Sequence, residues 1–269
     1  LELSGEILRT ALQMMVAGSE DHGGIERYID AVKLKSTMFR QALVENDISA
    51  LDLETFKGLC TFMATVRRRV GEWLNEESFG EMRHGIVELF DDSVHIEDRI
   101  GVFSDRFPHD KKHRWVKDLA VELLHNADPE RVPLMNRWVW DAKSNTGVIR
   151  EIWHGDDVDH IKIPIADNYG TYIMLREELS QFLSDNGIFR DVLFYVDILC
   201  AQVYAQYICE QGGSYLRADF QAPEDPMQHT RRLLGLDGVR PGDGRTRLKS
   251  IDGEAFVLDD STTLKPTEH

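Results

Sequence analysis

The chain has 269 residues, of which 42% are hydrophobic and 9% aromatic, enough to bury one large core or two modest ones. Its 47 acidic and 31 basic residues give a formal net charge of −16, which argues against nucleic acid and anionic membrane surfaces as partners. Three cysteines without a CxxC pair predict buried thiols in a reducing, cytoplasmic compartment.

Apolar residues recur at intervals of three and four through the first half of the chain, which is the spacing of amphipathic helices. The pattern predicts helices over residues 3–18, 25–45, 53–74, 78–107 and 111–125. Ser78 and Glu81 have the spacing of a capping box at the start of the fourth helix. In the second helix, Lys33, Lys35 and Arg40 are predicted to lie on the polar face. The short connections predict an antiparallel array.

The stretch from residue 113 to residue 160 is the predicted centre of the molecule, because it holds four of the five tryptophans. Asp128 and Pro129 predict the start of another helix, with Trp138 on its apolar face. Residues 148–153 predict a further helix, after a turn at residues 144–147. A hairpin through the same turn is the competing interpretation. Residues 160–165 alternate isoleucine with other residues, as in a short extended segment.

Two more helices are predicted over residues 172–183 and 188–211, and the second is apolar nearly all round, as in a helix surrounded by others. Its uncharged run is 12 residues long, against the roughly 20 that span a bilayer, so no membrane insertion is expected. Asp197 in its middle requires a partner or a proton. Residues 213–269 predict an irregular extension with a short helix at 227–234 and a hairpin turning at Asp252 and Gly253.

The predicted fold class is therefore mainly α: a multi-helix array with minor extended segments and an irregular C-terminal extension. The predicted division is a helical domain over residues 1–212 followed by the extension over residues 213–269.

Six of the ten histidines follow an acidic residue by three positions, a spacing that places the two on one helix face. The pairs are Glu81/His84, Asp92/His95, Asp110/His113, Glu122/His125, Glu151/His154 and Asp157/His160. Two inward-facing Glu-x-x-His motifs are typical of the di-iron or di-manganese site of ferritin-like bundles. Glu81, His84, Glu122 and His125 are therefore candidate ligands for iron or manganese, with Glu151 and Asp197 as further carboxylates. The order along the chain departs from that architecture, in which a lone glutamate helix falls between the motifs.

Two weaker patterns are also present. His84, the dipeptide His109-Asp110 and a distant aspartate, Asp191 or Asp197, follow the ligand order of helical HD-type phosphohydrolases. The triplet at residues 67–69 is a candidate anion site, although three successive helical arginines point in different directions and favour a solvated face. The sequence contains no phosphate loop, dinucleotide fingerprint, nucleophile elbow or HExxH motif.

Trp138 and Trp140 beside Arg137 have the composition of a protein-interface hot spot, and core packing is the alternative. Without a standard catalytic signature, the leading hypothesis is a non-catalytic helical accessory subunit. It would dock into a larger cytosolic assembly through this region and its tail. The alternative is a carboxylate-bridged metalloenzyme.

Overall fold

The computed structural model describes residues 1–155, 161–212, 227–237, 247–249 and 255–257. Within these residues the protein is mainly helical, which confirms the predicted fold class. The helices are α1 Gly5–Ser19, α2 Ile25–Arg40, α3 Leu53–Thr61, α4 Glu76–Leu89, α5 Ile96–Asp105, α6 Trp115–Ala127, α7 Val148–Glu151, α8 Tyr169–Asp185, α9 Val192–Gly212 and α10 Gln228–Leu233. A π-helical turn, Gln41–Glu45, extends α2.

Side-chain caps set where several helices begin. The Asp52 carboxylate accepts the Thr55 N–H at 2.8 Å at the start of α3, and Asn168 accepts the Thr171 N–H at 2.9 Å at the start of α8. At α4 the cap is Asn75, whose Oδ1 accepts the Ser78 N–H at 3.0 Å. The predicted capping box on Ser78 is therefore wrong, because α4 begins two residues earlier than its apolar pattern indicates.

The nearly all-apolar α9 lies at the centre, as predicted, and contacts α1, α2, α7, α8 and α10. Among the described helices, α9 alone has a stretch with the length and hydropathy of a membrane span, Val192–Glu210. In this fold 56% of the most apolar window is buried inside the protein. A core helix surrounded by others has the same composition as such a span.

The prediction of one helix over residues 53–74 is wrong for the second half of that range. The helix ends at Thr61, and tight turns lead to a 3-10 turn, Val70–Trp73. Met63, Val66 and Val70 are nevertheless fully buried, because turns with i→i+3 hydrogen bonds keep nearly the same apolar spacing as a helix. The C-terminal segment packs against this break: the Arg67 guanidinium makes two hydrogen bonds of 2.6 Å to Asp237.

The helix predicted from Asp128 and Pro129 does not form either. Residues 128–147 make a buried, irregular connection in which Asp141 and Thr146 exchange backbone hydrogen bonds of 2.9 and 3.3 Å. The turn itself was predicted correctly, and the helix predicted after it forms in part as α7, but the segment before the turn is irregular instead of helical. Pro133 explains part of the difference, since it lacks the N–H that a helix would need there.

The C-terminal helix and hairpin were both predicted. Strand β1, Arg247–Lys249, pairs antiparallel with β2, Ala255–Val257, and Leu248 faces Phe256 in the register. The predicted turn at Asp252 and Gly253 lies outside the described residues. Residues 227–237 pack into the main core, where Met227 and Leu236 are almost completely buried. This part of the predicted extension therefore shares its core with residues 1–212.

Candidate functional site

A buried polar centre lies on α6, at the predicted middle of the molecule. Glu122 is 3% exposed and its side chain accepts three contacts: Lys35 Nζ at 3.3 Å, Asn136 Nδ2 at 3.0 Å and Asn126 Nδ2 at 3.4 Å. Lys35 also donates to the Leu234 carbonyl at 2.9 Å. This centre therefore connects α2, α6, the irregular 128–147 segment and α10.

Lys35 was predicted to lie on a solvated helix face, and this is wrong: its side chain is only 5% exposed. A buried ammonium is tolerated where a carboxylate and further acceptors surround it. The buried Cys60 thiol lies close enough that the Glu122 charge adds to burial in raising the pKa of that thiol. Cys60 is consequently an inert core residue.

His125 lies one turn after Glu122 and makes a separate buried pair. Its Nε2 is 3.0 Å from Asp197 Oδ2, and its Nδ1 is 2.8 Å from the Val132 carbonyl oxygen. Burial by itself lowers the pKa of the imidazole, but Asp197 and the carbonyl outweigh it, so the pKa is raised. Asp197 thus has the partner that its position in an apolar helix required. The adjoining cavity of about 10 Å³ has room for one water molecule and not for an organic substrate.

The four predicted metal ligands do not come together. Glu81 and His84 lie on the exposed side of α4, where His84 Nε2 is 3.3 Å from Glu88. Glu122 and His125 are buried and engaged as described. Among the described residues, no group of three or more histidine, cysteine, aspartate or glutamate side chains is arranged to hold a metal ion.

Of the acid–histidine pairs at this spacing, Asp110 and His113 are in contact, 2.9 Å apart, and the contact lowers the pKa of Asp110. Asp157 and His160 lie outside the described residues. In the HD-type pattern, His109 is exposed and 3.2 Å from Asp105, away from Asp197. The candidate anion site is also not formed, because Arg67 binds Asp237 while the neighbouring arginines at positions 68 and 69 point into solvent.

Arg137 and Trp138 lie at the edge of the polar centre. Asp118 is 2% exposed and holds the Arg137 guanidinium at 3.0 Å, while the arginine itself remains 33% exposed. Burial raises the pKa of Asp118 more than Arg137 lowers it. Two of the predicted interface residues are core residues instead: Trp138 is 7% exposed, and Trp140 is fully buried and donates its Nε1–H to the Ile165 carbonyl at 3.2 Å.

Trp138 begins a row of three aromatic side chains, Trp138, Tyr204 and Tyr207, which we call the aromatic row. Ring centroids are 5.8 Å apart for the first pair and 5.7 Å for the second, with tilts of 38° and 35°. Both tyrosines are half-buried, so the row leads from the interior to the surface. Burial and the neighbouring Tyr207 raise the pKa of Tyr204. The row and Arg137 together have the side chains that dominate binding hot spots.

Two hydrogen-bond donors of this region have no acceptor among the described residues. They are the indole Nε1 of Trp138 and the Nε of Arg137, both buried at the atom level. Buried indole N–H groups usually find an acceptor. Because neither atom is accessible to another molecule, the part of the row that a partner can reach consists of the two tyrosine rings and the exposed part of Arg137.

No family model, curated protein or solved structure matches this chain.

The sequence pointed to Arg137 and Trp138 but missed the two tyrosines. Tyr204 and Tyr207 are three residues apart and share one face of α9, a signal that the sequence does contain. The two tyrosines were missed because α9 is apolar on every side, so its sequence pattern does not show which face of the helix is exposed.

Proposed function

We propose that this protein is a non-catalytic helical accessory subunit of a larger cytosolic assembly, and that it holds a protein partner at the aromatic row. The observation that carries the proposal is the aromatic row, which reaches the surface at two half-buried tyrosines close to a partly exposed arginine. Apolar atoms of a partner would cover the tyrosine rings while an acceptor on the partner binds Arg137.

The chemistry of the polar centre supports a binding role over catalysis. Glu122 and Lys35 neutralise each other, and His125 is engaged at both nitrogens, so neither is poised to transfer a proton to a substrate. The two buried, reduced thiols, Cys60 and Cys200, support a reducing compartment.

The test compares two aromatic variants of the full chain. Tyr204→Leu removes a half-buried ring of the aromatic row, whereas Trp140→Phe removes an N–H that is bonded within the core. The tagged proteins are used to capture partners from the source organism, and the Kd of the recovered partner is then measured by calorimetry.

We expect Tyr204→Leu to raise the Kd of the partner about tenfold, the effect of removing one aromatic side chain at a hot spot, with a small change in melting temperature. Trp140→Phe should lower the melting temperature and leave the Kd unchanged. Recovery of no stoichiometric partner, or equal binding by the wild type and Tyr204→Leu, would overturn the proposal.

The carboxylate-bridged metalloenzyme is tested by elemental analysis of freshly purified protein. Stoichiometric iron or manganese that is lost on chelation together with an activity would favour it over the accessory subunit.

A further inference from the structure

A groove of about 660 Å³ runs between α1 and α9. We call it the α1/α9 groove. It is lined along α1 by Glu6, Ile7 and Met14, and along α9 by Ala205, Tyr207 and Glu210. Tyr207 also belongs to the aromatic row, so the groove continues the surface to which a partner is assigned above.

The floor of the groove is apolar and accessible. Ile7 is 38% exposed and Met14 is 46% exposed, although both are large hydrophobic side chains on one helix. Two exposed apolar side chains seven residues apart lie on the same helix face, two turns from each other. Soluble proteins commonly keep contiguous apolar surface of this kind for binding.

The rim of the groove is acidic. Glu6 and Glu210 are both exposed on opposite helices, and no lysine or arginine belongs to the described lining. The chain as a whole carries a formal charge of −16. An approaching cationic segment is therefore attracted both at long range and at the rim, whereas an acidic segment is repelled.

The length of the groove matches a short helix. From Glu6 to Met14 the groove follows nine residues of α1, whose eight steps of 1.5 Å span about 12 Å. A partner helix that lies along this length contributes about two turns, with apolar anchors at positions such as i, i+3, i+4 and i+7. Cationic side chains on its flanks would reach the glutamates.

We propose that the α1/α9 groove binds a basic amphipathic helix of a protein partner. The inference rests on the proposed function, since it specifies what the partner brings to the same surface. Its apolar face covers Ile7 and Met14, and its lysine or arginine side chains pair with Glu6 and Glu210.

The probe is a fluorescein-labelled 18-residue peptide with leucines on one helical face and lysines elsewhere, and the comparison peptide has glutamate in place of every lysine. Binding to the full chain is measured by fluorescence anisotropy at two salt concentrations. We expect saturable binding of the lysine peptide that weakens with salt, and no binding of the glutamate peptide.

Met14→Ser and Met174→Ser form a matched pair, because both methionines are 46% exposed and Met174 lies on α8, which does not line the groove. Met14→Ser should weaken the binding of the lysine peptide by about tenfold, as expected for one methionine removed from an interface. Met174→Ser should leave its affinity within about twofold of the wild type. Equal effects of the two variants, or binding of both peptides, would refute the groove as the site.

A photo-crosslinking phenylalanine analogue placed at Thr10, which lines the groove, identifies the occupant directly. Crosslinks to the lysine peptide support the proposal. Crosslinks found only within the protein's own chain or to a second copy, with the peptide in excess, would overturn the proposal. The groove would then be occupied by the protein itself. If the native partner depends on Tyr204 but the lysine peptide does not bind, the inference falls and the proposed function stands.

Discussion

At His125, both ring nitrogens face oxygen acceptors, Asp197 on one side and the Val132 carbonyl on the other. The doubly protonated ring satisfies both, because only then does each nitrogen donate. This geometry agrees with the raised pKa of the imidazole: burial and Lys35 lower that pKa, and the bonds to Asp197 and the Val132 carbonyl raise it by more.

The raised pKa gives a definite direction to the pH dependence of stability. A histidine with a higher pKa in the folded than in the unfolded state stabilises fully below the unfolded pKa of about 6.5. That contribution is lost as the pH rises through the folded pKa. We therefore expect the urea midpoint of the wild type to fall as the pH rises above 6.5.

His125→Gln supplies the control, since glutamine does not titrate there. Its urea midpoint should be lower at pH 6 and show a smaller fall up to pH 9. If the urea midpoint of His125→Gln falls with rising pH as much as that of the wild type, another group is responsible for the pH dependence.

The Lys35 and Glu122 pair leads to a second prediction. Lys35→Met leaves the Glu122 carboxylate buried without its countercharge, which costs about 3–5 kcal/mol of the free energy of unfolding. Adding Glu122→Gln should recover much of the loss, because the buried charge is removed and Asn136 can still donate to the amide oxygen. Urea titrations of the two single variants and the double variant measure the coupling. Additive losses would show that the pair does not interact.

Among the secondary-structure elements, α3 shows what the sequence could not predict. Nothing between residues 53 and 74 marks an end at Thr61, since the apolar spacing continues through Val70. The break is occupied by a segment more than 160 residues away: at Gly235 (φ +70°), an added Cβ would lie 1.7 Å from the Phe62 carbonyl oxygen. The spacing of apolar residues within a short stretch of sequence does not indicate a contact with a residue so far along the chain.

Gly235→Ala therefore tests the contact between the break and the C-terminal segment. Gly187 is the matched control, because its φ is +86° and no atom lies within 4 Å of its added Cβ. Gly187→Ala should cost about 1–2 kcal/mol from backbone strain, and Gly235→Ala about 1–3 kcal/mol more from the clash. Chemical denaturation measures both, and equal losses would mean that the segment does not dock as described.

The other elements fall into the same two groups, those that the sequence predicts and those that it does not. Helices with one apolar stripe, such as α1, α2 and α8, were predicted well because burial on one side imposes the helical period. The irregular 128–147 segment was not, because its buried side chains are placed by turns and by contacts with α6 and α8. The candidate site lies on that segment, so the sequence identified Arg137 and Trp138 without their surroundings.

For the whole molecule, the main consequence is that residues 227–237 complete the core. Thr230 is fully buried and donates to Gln202 of α9 at 2.8 Å, while Lys35 donates to the Leu234 carbonyl. A truncation near residue 213 would therefore destabilise the body as well as remove the tail, and point variants separate partner binding from folding more cleanly.

A six-residue helix has no stability of its own in water, so slow hydrogen exchange in α10 reports docking onto the rest of the protein. We expect the amides of Arg231, Leu234 and Leu236, which donate to backbone carbonyls at 2.7–3.2 Å, to exchange as slowly as those in the middle of α9. Arg67→Met, which removes the two bonds to Asp237, should speed their exchange by about tenfold, the effect of losing a charge-assisted pair. Lys57→Met removes an exposed pair with Glu54 and should leave these rates unchanged. Exchange of the three amides at the rate of an unfolded peptide in the wild type would place α10 outside the cooperative core and contradict the packing of residues 227–237 against the break after α3.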